Sequence, residues 1–403
     1  MKTIAIAGTF DSKGTEYLYL KELLENLDLN TFTIHTGVFE PAFTPDVSNS
    51  QVAEAAGVTI KELADKKDRA YATEMLSKGM EELIPKLYKE GKFDGIISFG
   101  GSGGTSLVAP AMRALPIGVP KVMVSTMASG NTAQYIGTSD IVMIPSVVDV
   151  AGLNSISTKI FSNAAFAIAG MVKFENAKKV EEKPLVAATM FGVTTPCVDM
   201  AREYLQEKGY EVLVFHATGV GGQSMESLIN GGFIKGVLDL TTTEWCDEIV
   251  GGVLSAGPNR CEAAAKNKIP QVVSVGALDM VNFGPYHTVP EKFAERNLYK
   301  HNPTVTLMRT TLEENIKIGK VLSEKLNMSS GKTALYIPLK GVSMIDKEGE
   351  PFYGPEEDKA LFDTLKEKVN TEKVEIVEMD SHINDRSFAE AAAQKLIDLM
   401  ENK

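Results

Sequence analysis

Cysteine is scarce in this 403-residue chain, with only Cys197, Cys246 and Cys261, an odd number containing no CxxC pair. That argues against a disulfide framework or a structural zinc site and fits a reducing compartment. Basic residues are also in deficit, 41 against 53 acidic ones, for a formal net charge of -12. Nucleic acid and anionic membrane surfaces select for the opposite sign, so neither is expected as a main partner. No apolar run approaches membrane-spanning length, and the N-terminal MKTIAIAGTF turns at Gly8 where a signal peptide would continue its apolar core. The expected location is cytoplasmic. Walker A, GxGxxG and HExxH patterns are missing, which disfavours their associated chemistries, a zinc protease site among them.

Apolar and charged content are ordinary for a globular protein, 44% and 23%, and the length predicts more than one domain. Short β-branched runs closed by glycine alternate with stretches of helical periodicity. Thr3–Ala7, Thr31–His35, Gly95–Phe99, Val119–Ser125 and Ile141–Ile144 read as buried strands, and helical segments fall between them. This alternation predicts an α/β fold with a mostly parallel, doubly wound sheet. A polar, charged stretch closed by proline, Asn176–Pro184, reads as a linker, after which the pattern restarts with Leu185–Thr189. IAIAGTFDSKGTEYLYLKELLE parallels LVAATMFGVTTPCVDMAREYLQ, and FDGIISFGGSGGTS parallels FIKGVLDLTTTEWC. We therefore expect a tandem duplication: two Rossmann-like domains, residues 1–180 and 181–403, each with its own sheet.

The strongest local signal is SFGGSGGTS at Ser98–Ser106, between a predicted strand and a helix. Four glycines in five positions let the backbone approach a ligand, and a helix start offers free N–H groups to an anion. TMASGNT (Thr126–Thr132) follows the next strand, and GTFDSKGT (Gly8–Thr15) follows the first. Ligands of open α/β sheets bind beyond the carboxyl ends of the strands, so these three loops predict one anion-binding crevice. Lys13 would neutralise phosphate and Asp11 would hold a metal or a ribose, although an exposed lysine and a turn-forming aspartate explain each equally well.

The second half offers different chemistry. Glu244 lies beside the only tryptophan in TTTEWCDE, Asp279 and Asn282 lie in DMVNFGP, and His301 and Arg309 bracket HNPTVTLMR. Glu244, Asp279, His301 and Arg309 are the candidate catalytic groups, expected to line one pocket. There an arginine would grip a carboxylate while a carboxylate or histidine moves a proton. His382, in MDSHIND, reads first as part of a helix start.

Taken together, GTFDSKGTE, FGGSGGTSL, MASGNTAQYIGTSDI, GALDMVNFGP, HNPTVTLMRTT and SHINDRSFA resemble the Tm-one-like ATP-binding family over essentially the whole chain. The resemblance implies ATP, with Mg2+ accompanying it, held chiefly by the N-terminal Rossmann-like domain, and a homodimer. It assigns nucleotide contact to Gly8, Thr9, Asp11, Ser12 and Lys13, to Gly101, Ser102, Gly103, Gly104 and Thr105, and to Ser129, Gly130, Asn131 and Thr132. The expected function is ATP binding. The alternative is an enzyme acting on a small carboxylate or phosphorylated metabolite through the second domain's acidic, histidine and arginine groups.

Overall fold

Alternation of side chains along the first strand sets the layering. In the computed structural model, which describes residues 1–174 and 183–401, β1 (Thr3–Gly8) sends Ile4 and Ile6 to one face and Ala5 and Ala7 to the other. Successive strand residues point to opposite faces, so a sheet with apolar residues at every position must be covered on both sides. On the Ile4 face, Tyr17, Leu20 and Leu24 of helix Gly14–Asn26 pack with Phe161, Ala164 and Ile168 of helix Ser157–Lys173. On the Ala5 face, Leu76, Met80 and Ile84 of helix Arg69–Lys89 meet Leu107, Val108 and Met112 of helix Ser102–Arg113.

β1 is joined by β2 (Asn30–His35), β3 (Gly95–Gly100), β4 (Lys121–Ser125) and β5 (Val142–Pro145). Every pairing is parallel, in the order β2-β1-β3-β4-β5. The order reverses direction between β1 and β3. At that switch point the loops leaving the two strands diverge to opposite faces and open a crevice. Between β2 and β3 lie two short helices, Asn49–Ala55 and Ile60–Lys66, and the long Arg69–Lys89 helix.

The chain divides into two units, Met1–Val180 and Glu181–Lys403. In the second, β6 (Leu185–Met190), β7 (Glu211–His216), β8 (Gly236–Thr241) and β9 (Gln271–Gly276) lead to β10 (Met280–Phe283). β11 (Leu298–Asn302), β12 (Val305–Arg309), β13 (Thr333–Pro338) and β14 (Val374–Met379) complete the set. The main sheet has the order β7-β6-β8-β9-β13-β14 and is parallel throughout. The 2-1-3-4-5 arrangement of the first unit therefore recurs, extended by one strand. Helices Thr195–Glu207 and Arg386–Met400 cover one face, and Leu312–Asn327 and Pro355–Lys368 cover the other.

Two segments depart from the strand-to-helix alternation. The segment from Met280 to Arg309 forms a three-stranded antiparallel sheet, β10-β12-β11. Its alternating TVTL run pairs across the turn at Asn302–Thr304, where the Asn302 side chain accepts from the Thr304 amide at 2.8 Å. The Met344–Gly354 stretch contains turns and no strand. Of the predicted linker, residues 176–182 lie outside the described residues.

Candidate functional site

Two helices begin at the switch point of the first unit without any side chain to cap them. Helix Gly14–Asn26 starts after Lys13, and helix Ser102–Arg113 starts after Gly101. The first turn of a helix leaves its N–H groups without intrahelical acceptors and carries partial positive charge. Ordinarily a Ser, Thr, Asp or Asn at the N-cap would satisfy one of them. Here a glycine stands in that place on the second helix, and Ser102, Gly103 and Gly104 of the first turn line an open cavity of about 860 Å³.

That cavity is lined by Thr9, Asp11, Ser12 and Lys13 from the loop after β1, and by Gly101–Gly104 from the loop after β3. Leu63, Ala72, Leu76 and Leu107 form an apolar wall. Two polar atoms of its lining residues, Asp11 Oδ1 and Thr36 Oγ1, are buried and have no hydrogen-bond partner. Asp11 is held in place by its other oxygen, which accepts from the Phe39 amide at 3.1 Å. Buried polar atoms are rarely left unpaired in native proteins.

Arg69, a residue that sequence reasoning missed, overhangs the glycine turn. A Cβ built on Gly103 would stand 3.4 Å from Arg69 Nη2. Among the described residues no carboxylate or carbonyl pairs with this guanidinium. Its position is fixed at the start of its helix by Asp68, whose carboxylate accepts from the Tyr71 amide at 3.0 Å. No motif surrounds it; the signal lay only in its being the first cation of a long amphipathic helix.

Other expected contacts lie elsewhere. Gly8 ends β1, where a side chain would collide with the Tyr17 ring, so it serves packing. Thr105 is fully buried, its hydroxyl donating to the Gly101 carbonyl at 2.8 Å and lying 2.6 Å from Ser125 Oγ. It staples the loop from beneath. The ammonium of Lys13 turns to the Val150 carbonyl, although its chain still lines the cavity. Ser129, Gly130 and Asn131 are exposed, and none of Ser129–Thr132 lines the cavity; Thr126 does.

The four candidate catalytic residues of the second unit do not converge. Glu244 is 1% exposed and belongs to a closed ion cluster. Arg260 Nε donates to Glu244 Oε2 at 2.6 Å, and its two terminal nitrogens donate to Asp239 at 2.5 and 2.7 Å. Glu244 Oε1 also accepts from the amides of Gly219 and Gly222, at 2.8 and 3.1 Å, at the start of helix Val220–Asn230. An internal carboxylate thus occupies a helix start in this unit. His301 is exposed on β11, away from the others. Asp279 and Arg309 do neighbour each other, since Arg309 pairs in the β10–β12 ladder with Met280, the residue after Asp279, but both are buried. The expected four-residue pocket is corrected to two buried clusters and one surface histidine.

The Arg309 cluster is acidic. Arg309 Nη2 donates to Asp358 at 2.7 Å and lies 3.6 Å from Asp346, and Asp279 accepts from Ser343 Oγ at 2.8 Å. Burial, with Asp346 close by, pushes the Asp279 carboxyl up to about 7 and that of Asp358 up to about 8. Burial also raises Asp247 to about 7. Each binds its proton more tightly folded than unfolded, where a carboxyl titrates near pH 4. Their contribution favours folding fully below about pH 4 and is lost as pH rises to about 8. Asp279→Asn, which cannot ionise, should therefore gain thermal stability over the parent as pH is raised from 5 to 8. Parallel melting curves that keep the same separation across that range would contradict this.

No group of three or more His, Cys, Asp or Glu among the described residues has the arrangement to hold a metal ion, and no described helix is long and apolar enough to cross a membrane. Comparison with known proteins follows the same two-unit division. A UPF0261 protein of Clostridium tetani is 61% identical over 99% of both chains. The tomato (Solanum lycopersicum) ToMV resistance protein Tm-1(GCR237) is 43% identical over 97% of this chain, which spans 55% of the tomato protein's length. Among solved structures, Methanocaldococcus jannaschii UDP-GlcNAc 2-epimerase in complex with UDP-GlcNAc and UDP is 10% identical. That match covers 98% of this chain and 93% of the epimerase, with a TM-score of 0.23, too low to bear on ligand or mechanism. Residues 2–177 match the N-terminal domain, and residues 183–400 the C-terminal domain, of the uncharacterised protein family UPF0261, and the chain belongs to that family.

Proposed function

We propose that the N-terminal unit binds a nucleoside triphosphate, ATP, in the switch-point cavity. The observation that carries this reading is the unpaired Arg69 guanidinium above an uncapped, glycine-lined helix start. Backbone amides and a guanidinium together make a site for phosphate oxygens, and charge-assisted bonds are about twice as strong as neutral ones. The Leu63–Leu76–Leu107 wall suits a base. A volume of about 860 Å³ is within the range of small-molecule sites. Mg2+ would arrive with the phosphates, since the cavity's carboxylates, Asp11, Asp68 and Asp149, form no protein cage. The reading includes binding without obligatory turnover, a cytoplasmic location and a homodimer ordered by the nucleotide.

Arg69→Ala tests it. The side chain is exposed, so the fold should survive its loss. Removing one charge-assisted contact of about 1.5–3 kcal/mol should weaken ATP about 10- to 100-fold and leave adenosine unchanged. Equal ATP affinity in the two proteins, measured by calorimetric titration, would move the phosphates elsewhere.

A further inference from the structure

The apolar surface of the switch-point cavity is unevenly shared among its residues. Leu63, Ala72, Leu76 and Leu107 line it but belong to the core, each 6% exposed or less. Phe39, in the loop after β2, also lines it and is 70% exposed. Among the described residues no other ring contacts it. A single exposed phenylalanine on an open surface needs no special account. This one stands in the lining of a cavity, on a backbone that is fastened in place.

Three side chains do the fastening. The Phe39 amide donates to Asp11 Oδ2 at 3.1 Å, which ties the loop after β2 to the loop after β1. His35 is fully buried, and its Nδ1 accepts from the Phe10 and Gly37 amides at 3.2 and 3.3 Å. The ring proton is thereby left on Nε2, which donates to the Phe39 carbonyl at 2.8 Å. Asn49 Nδ2 donates to the Gly37 carbonyl at 2.8 Å and to that of Phe39 at 3.4 Å. Gly37 leaves room for the Asp11 carboxylate, which a side chain there would strike. A backbone held in this way fixes the direction in which the Phe39 side chain leaves it, so less ordering remains when a ligand arrives.

The exposed surface itself indicates the group it takes. An aromatic face offers dispersion and quadrupole contact to another ring but no hydrogen bond, and phosphate gains nothing from it. Nucleobases stack on such rings whatever their edge pattern, since every base has a π-face. Resting on the nucleotide reading above, we propose that Phe39 is the stacking platform for the base. Through this ring the site selects a base-bearing triphosphate over triphosphate alone.

The test titrates the full chain with ATP and, separately, with inorganic tripolyphosphate. The parent protein should bind ATP more tightly than tripolyphosphate. Phe39→Ala removes an exposed side chain and should weaken ATP about 5- to 100-fold, the worth of one stacked base, with tripolyphosphate unchanged. Phe39→Trp should keep ATP affinity within about 3-fold of the parent. Its new indole emission should be quenched by ATP and not by tripolyphosphate, read against the parent protein, whose Trp245 is buried. Parent protein that binds tripolyphosphate as tightly as ATP would keep the phosphate site and overturn the platform. So would unchanged ATP affinity in Phe39→Ala, an equal loss of both ligands, or an ATP-bound Phe39→Trp protein without quenching. Binding of neither ligand by the parent would overturn the nucleotide reading and this proposal together.

Discussion

Arg260→Ala should cost the second unit about 3–5 kcal/mol, the range observed when one partner of a buried ion pair is removed. The guanidinium is 1% exposed and bonds Asp239 through two nitrogens and Glu244 through a third, with Glu226 3.6 Å away. Without it, Asp239 and Glu244 remain in the interior, each 2% exposed or less, with no compensating charge. Either they take up protons or water enters, and both outcomes destabilise the fold. The loss should be partly recovered when Asp239→Asn and Glu244→Gln are added, since that removes the stranded charges. Urea unfolding of the full chain reports both effects. A loss below about 1 kcal/mol would mean that the cluster behaves as a solvated surface pair.

Gly103→Asp should abolish nucleotide binding, by about 100-fold or more, while leaving stability unchanged or slightly raised. The physical model for this change is already built into the second unit. There Glu244 places its own carboxylate on the amides of Gly219 and Gly222, and the helix start is filled from within. At Gly103 an added Cβ meets only the far end of the flexible Arg69 side chain, so an aspartate fits. Its carboxylate would lie among the amides of the first turn and beside Arg69, in the position proposed for phosphate. Thermal melting together with ATP titration separates the two effects. Retained ATP affinity in a folded Gly103→Asp protein would show that the phosphates do not use this helix start.

How far the sequence carried depends on the kind of interaction. Thr3–Ala7 and Gly95–Phe99 were legible as buried strands because apolar runs closed by glycine have few other uses. The loops beginning at Gly8 and Gly101 were legible as lining one crevice because both follow such strands. Arg69 was not legible, since a cation opening an amphipathic helix looks the same whether it faces solvent or a ligand. Glu244 misled for a related reason. A carboxylate just past a strand end is where catalytic groups sit, and only the position of Arg260, sixteen residues on in an irregular loop, reveals a closed pair. Likewise Asp346 and Asp358 lie in segments rich in charge, and which of their acidic groups is buried is decided by long-range packing around Arg309. The strands of β11 and β12 were hidden by Pro303, which marks their turn and not a longer loop.

Calorimetric titration of the full chain with ATP and, separately, with adenosine tests the central claim most directly. Binding through the amides of Ser102–Gly104 and the Arg69 guanidinium predicts that ATP binds at least about 100-fold more tightly than adenosine, because only the triphosphate engages those groups. No heat with ATP, or equal affinity for the two ligands, would contradict it.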